Sequence, residues 1–138
     1  MLRPAVSADI LRIFEIRNGV GENRLSDPAA VSEDNAVWFL ENGPIWVWQE
    51  EGRPIDGFAA GDPRDGSIWA LLVAPGQEGR GIGRALLKAA CDTLREAGHR
   101  RAVLSTEPGS RAERHYRADG WSAVGHNAKG ELVLQKPL

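Results

Sequence analysis

Cys91 is the only cysteine, so no intramolecular disulfide can staple the chain, and a reducing, cytoplasmic setting is expected. No apolar run approaches the roughly 18 residues that a membrane span needs, which argues against a membrane partner. The opening stretch "MLRPAVSADILRIFEIR" is interrupted by Arg3, Pro4, Asp9 and Arg12, so it lacks the core of a signal peptide. Repeats, low-complexity tracts and linkers are also missing. The 138 residues therefore read as one domain, 1–138, long enough to bury a core. A net charge of −2 argues against a general nucleic-acid binder. His99, His115 and His126 have no metal-ligand spacing, so no metal is expected.

What is present is more pointed. Between Arg80 and Arg117 stand nine Lys or Arg against four Asp or Glu, while the rest of the chain is acidic. A basic half in an acidic protein suits a small polyanionic ligand better than a long polymer. "DILRIFEIRNG" carries Ile10, Ile13, Phe14 and Arg17 at helical spacing, and "SEDNAVWFLENG" reads as a second helix capped by Ser32. "LRPAV", "IWVWQE", "IDGFAAG" and "SIWALLVAP" read as strands, the middle two joined as a hairpin at "EGRP". A long helix follows, with Ile82, Leu86, Ala89, Ala90, Thr93 and Ala97 on one face and Gly98 at its end. "RAVLSTE" is a further strand, Ser110 to Ala118 a further helix, and "WSAVGH" with "ELVLQK" a closing hairpin. This order indicates an α/β (α+β) sandwich around a mixed, mostly antiparallel sheet, with one parallel crossover between Ser67 and Glu107.

The stretch "LLVAPGQEGRGIGRALLKAA" places Gly79, Gly81 and Gly83 between a strand and a helix. Such a turn aims backbone N–H groups at one point, and the helix N-terminus adds partial positive charge, so phosphate oxygens fit there. Missing side chains let a ligand reach the main chain. Arg80 and Arg84 add donors. Neither nucleotide fingerprint survives. Gly76 and Gly81 have the spacing of a Walker loop, but Ile82 stands where lysine belongs, and Arg84 stands where a dinucleotide motif needs glycine.

"VAPGQEGRGIGRALL" instead resembles the acetyl-CoA motif of the GCN5-related N-acetyltransferase (GNAT) superfamily, V-x-P followed by [QR]-x-x-G-x-[GA]. Val73, Pro75, Gly81 and Gly83 fall on it. In "GSRAERHYRADGW", Ala112, Tyr116, Gly120 and Trp121 resemble the family's A-x-x-x-Y-x-x-x-G-[FW] helix. Two positions depart from the pattern: Glu78 stands at the Gln/Arg place with Gln77 one residue early, and Gly109 replaces a frequent asparagine.

The resemblance implies a GNAT-like acyl-CoA N-acyltransferase fold and acetyl transfer from acetyl-CoA to a primary amine of a small molecule or protein. It assigns cofactor contacts to Leu72, Val73, Glu78, Gly79, Arg80, Gly81, Ile82, Gly83, Arg84, Ala112 and Tyr116. The N–H of Val73 is the expected contact for the developing oxyanion. Tyr116 takes the place of the acid that protonates the departing CoA thiolate. No carboxylate lies between Ser67 and Val73, leaving Glu107 and Glu22 as candidate bases. The acceptor is expected near Glu22, Asn23 and Arg24 in "GENRLSDP". A second copy of the chain is a candidate partner, as a homodimer. The rival reading is a non-catalytic acyl-CoA sensor, and phosphate-loop nucleotide binding ranks below both. Cys91, in an Ala/Leu helix, reads as a small core residue rather than a nucleophile. The five tryptophans read as core and cover.

Overall fold

Strands β1 (Leu2–Pro4), β2 (Trp46–Trp48), β3 (Gly57–Asp62), β4 (Ser67–Val73), β5 (Arg101–Thr106), β6 (Ser122–His126) and β7 (Leu132–Pro137) join in one sheet, in a computed structural model that describes residues 1–21 and 24–138. Their order is β1-β2-β3-β4-β5-β7-β6, so the final hairpin inserts β7 beside β5 and leaves β6 at the edge. Every neighbouring pair is antiparallel except β4 and β5. Helices α1 (Ile10–Gly19), α2 (Glu33–Asn42), α3 (Ile82–Glu96) and α4 (Arg111–Ala118) cover the sheet. Among the described residues, no helix is long and apolar enough to cross a membrane.

The unbroken apolar run "ALLVA" follows from burial on both faces of β4. Leu71 and Val73 join Ala59, Leu86, Leu94, Tyr116 and Trp121 in one cluster. Ala70 and Leu72 join Ile13, Ile16, Phe39 and Phe58 in the other. Alternate residues of a strand point to opposite faces, and that period divides the two clusters. On the α2 side, Phe39 and Trp69 stack with ring centroids 4.3 Å apart. Ser32 caps α2, its hydroxyl accepting the Asn35 N–H at 3.2 Å.

The buried face of α3 runs through Ile82, Leu86, Leu87, Ala90, Cys91 and Leu94. Leu94 takes the last place on that face; Ala97 lies past the helix and is exposed, because the repeat from Leu86 and Ala90 lands on 94. The helix sits close over β3. A Cβ built on Gly61 would lie 2.7 Å from Leu94 Cγ and 3.0 Å from the Ala90 carbonyl oxygen. The first strand is also shorter than "LRPAV" implied, ending at Pro4.

One irregularity positions the site. β4 and β5 pair in register only at Ser67 and Val103. Beyond that pair β4 bonds to β3, while β5 bonds to β7 along its whole length. The second half of β4 therefore has an open edge toward β5.

Candidate active site

The main chain of β4 alternates in direction. The Ala74 N–H donates to the Asp56 carbonyl at 2.7 Å, on the β3 side. The Leu71 N–H points the other way and donates to Ser26 Oγ at 2.9 Å. Val73 shares the parity of Leu71, so its N–H and carbonyl face the open edge. This is where an acyl carbonyl can be polarised.

A cavity of about 150 Å³ lies against that edge. Val73, Gln77, Glu78, Gly79, Gly81, Ile82, Gly83 and Arg84 form one wall, and Arg111, Ala112 and His115 on α4 form the other, with Leu25 between them. Gly81 is the residue before α3, with φ 82° and ψ 4°. A Cβ on Gly81 would meet no atom within 4 Å; the position faces open space in a backbone conformation that favours glycine. With the α3 N-terminus beside it, the loop has the donors and partial charge that a pyrophosphate requires.

Side chains adjust this cradle. The Glu78 carboxylate accepts the Gly76 N–H at 2.8 Å and is thus turned onto its own loop. Arg80 does not meet Glu78 and does not line the cavity. Its guanidinium donates to Glu50 at 2.6 Å and to Gln77, both at the surface. Arg84 remains largely exposed, 3.7 Å from Asp119, and with Arg111 brings positive charge to both walls.

Tyr116 lies directly behind the α4 wall rather than in it. It is 1% exposed, and its hydroxyl donates to the Leu25 carbonyl at 3.0 Å. Burial raises its pKa above the ordinary tyrosine value, so the phenol keeps its proton at neutral pH. Leu72 is fully buried in the cluster under α1 and α2, with its side chain away from the cavity. Leu72 is not part of the cavity lining, which its neighbour Val73 joins. Cys91 is 8% exposed, and burial pushes its thiol up to about 11, which keeps it protonated and unreactive.

A smaller cavity of about 20 Å³ lies on the other side of Leu25 and Ser26. Arg24, Asp27, Thr106, Glu107, Ser110 and Glu131 line it. The structure thus brings Arg24 and Glu107 together, one residue of Leu25 away from the glycine cradle. Glu22 and Asn23 lie outside the described residues. A groove of about 520 Å³ runs between α3 and the end of β7, past Cys91, but shares only Arg84 with the site residues read from sequence. Among the described residues, no group of three or more His, Cys, Asp or Glu is placed to hold a metal ion.

Several cavity residues escape a reading of sequence, Arg111 and Gln77 among them. His115 follows Arg111 by one turn and lines the same wall, the i, i+4 relation that could have found it. Its Nε2 is enclosed without a partner among the described residues. Leu25 is an apolar residue inside the polar "GENRLSDP", which was its signal. Ser26 carried none. Its hydroxyl both accepts from the Leu71 N–H and donates to the Leu71 carbonyl at 3.1 Å, as a neighbouring strand would.

Comparison with known proteins gives a consistent set of relatives. A family model for the acetyltransferase (GNAT) family matches residues 9–121. A mycothiol acetyltransferase from Beutenbergia cavernae is 33% identical over 104 residues, covering 70% of this chain and 34% of the relative. The chain thus spans about a third of the length of that curated relative. The ribosomal-protein-alanine N-acetyltransferase from Brucella melitensis superposes with a TM-score of 0.77 at 27% identity, covering 100% of this chain and 99% of the other. A phosphinothricin acetyltransferase from Sinorhizobium meliloti, solved with acetyl-CoA, has a TM-score of 0.78 at 22% identity, covering 100% and 88% of the two chains.

Proposed function

The chain belongs to the acetyltransferase (GNAT) family, and on that premise we propose that it transfers the acetyl group of acetyl-CoA to a primary amine. The observation that carries this reading is the open edge of β4 at Val73, lying directly above a glycine cradle at the start of α3. A mere phosphate site would need the cradle alone; acyl transfer needs the free strand edge as well.

Bound acetyl-CoA supplies the acyl group as a thioester. The amides of Gly79 and Gly81 and the N-terminus of α3 hold the phosphates, with Arg84 and Arg111 adding charge. The Val73 N–H stabilises the carbonyl oxygen as it becomes an oxyanion. Tyr116, still protonated, gives its hydrogen to the departing thiolate after releasing the Leu25 carbonyl. The amine approaches from the smaller cavity, where Glu107 accepts a proton and Arg24 contributes to acceptor binding. Glu22 and Asn23 belong to the same proposed acceptor segment. The acceptor is an amine of a small molecule or protein, in a cytoplasmic setting.

One observation favours the rival reading of a non-catalytic acyl-CoA sensor. The Tyr116 hydroxyl is already bonded to Leu25 and is set behind the cavity wall. Turnover separates the two. A panel of amino acids, polyamines, amino sugars and peptides is incubated with acetyl-CoA, and CoA release is followed. An enzyme releases CoA with at least one amine well above the amine-free rate. A sensor binds acetyl-CoA and releases none.

A further inference from the structure

We propose that Leu25 sets the acyl-chain length this protein accepts, closing the inner end of the donor cavity just beyond an acetyl group. The proposal rests on the acyl-CoA reading of that cavity. The glycine loop and the α3 N-terminus are the phosphate end, so the thioester end lies along the β4 edge at Val73. Leu25 stands there. A Cβ built on Gly83 would lie 3.1 Å from Leu25 Cδ1 and 3.5 Å from Val73 Cγ2, so the Leu25 side chain, the α3 backbone and Val73 meet at one point.

Behind that point is the smaller cavity, which shares Leu25 with the larger one. The side chain therefore borders both spaces and narrows the passage between them. An acyl group longer than acetyl has to push it aside, and the backbone resists. The Leu25 carbonyl accepts from Tyr116 at 3.0 Å, and Ser26 is bonded to both the N–H and the carbonyl of Leu71. Those bonds tie the segment to α4 and to β4 together. Gly83 completes the fit, because a Cβ there would press on Leu25 Cδ1 at 3.1 Å.

The test is calorimetric binding of acetyl-, propionyl- and butyryl-CoA to the wild type, Leu25→Ala and Leu25→Val, with folding checked by circular dichroism. A filled apolar pocket discriminates one extra methylene by about 10–200-fold. The wild type is expected to bind butyryl-CoA at least about tenfold more weakly than acetyl-CoA. Leu25→Ala brings the two affinities within about threefold, since the missing side chain removes a discrimination of that order. Leu25→Val lies between them and gives the answer even where the alanine variant does not fold. A butyryl-to-acetyl ratio that is the same in wild type and variants overturns the gate while leaving the cofactor site standing. A wild type that binds no acetyl-CoA overturns both.

Discussion

In the proposed reaction, Tyr116 is the residue on which acetyl transfer depends most. Its ring packs edge-on to Trp121 at 5.9 Å, and its hydroxyl ends at the Leu25 carbonyl. Burial keeps the phenol protonated, as an acid requires, and the same burial makes it a good latch. Tyr116→Phe keeps the ring and its packing but deletes the proton. We expect kcat to fall, typically ~10²–10⁴-fold for a general acid, with acetyl-CoA affinity little changed. The measurement is steady-state product analysis with a productive acceptor, beside calorimetric Kd values. A kcat within about twofold of wild type with Kd intact makes Tyr116 a latch only, since general acids contribute far more. Tyr116 was singled out through the family resemblance, whose A-x-x-x-Y motif is local in sequence. Its hydrogen-bond partner was not, lying 91 residues away in sequence. Ser26 and Leu71, 45 apart, were hidden for the same reason.

At the scale of elements, β4, the glycine loop and α3 act as one unit, and most of it was readable. An unbroken apolar run, positive-φ glycines and helical spacing are all set by near neighbours. The Val73 N–H contact was expected only through the family resemblance, because nothing in β4 or β5 prevents longer pairing. The unit makes a prediction with an internal control. Gly81 and Gly76 both have positive φ, 82° and 84°, and a Cβ on either meets nothing within 4 Å. Only Gly81 lines the cavity. Gly81→Val and Gly76→Val should therefore lose similar stability, about 1–2 kcal/mol from left-handed backbone strain. Acetyl-CoA binding should be lost in Gly81→Val and retained in Gly76→Val. Melting curves and calorimetry check this. Retained affinity in a folded Gly81→Val would remove the loop from the cofactor site.

For the whole molecule, charge and architecture point to one face. The basic stretch from Arg80 to Arg117 supplies Arg84 and Arg111 to the cavity, while Glu50, from the acidic half, holds Arg80 at its edge. Clusters on both faces of the sheet bury β3 and β4, so the open strand edge is held on a rigid support. Ligand-induced stabilisation tests the proposed acetyl-CoA site without a known acceptor. Melting temperature is measured with acetyl-CoA, ATP or NAD at equal concentration. Acetyl-CoA at about 100 times its Kd should add roughly 2.7 kcal/mol, a rise of roughly 10 °C for a domain of this size, while ATP and NAD add far less. Equal shifts with ATP, or no shift with acetyl-CoA, would rule out a dedicated acetyl-CoA site.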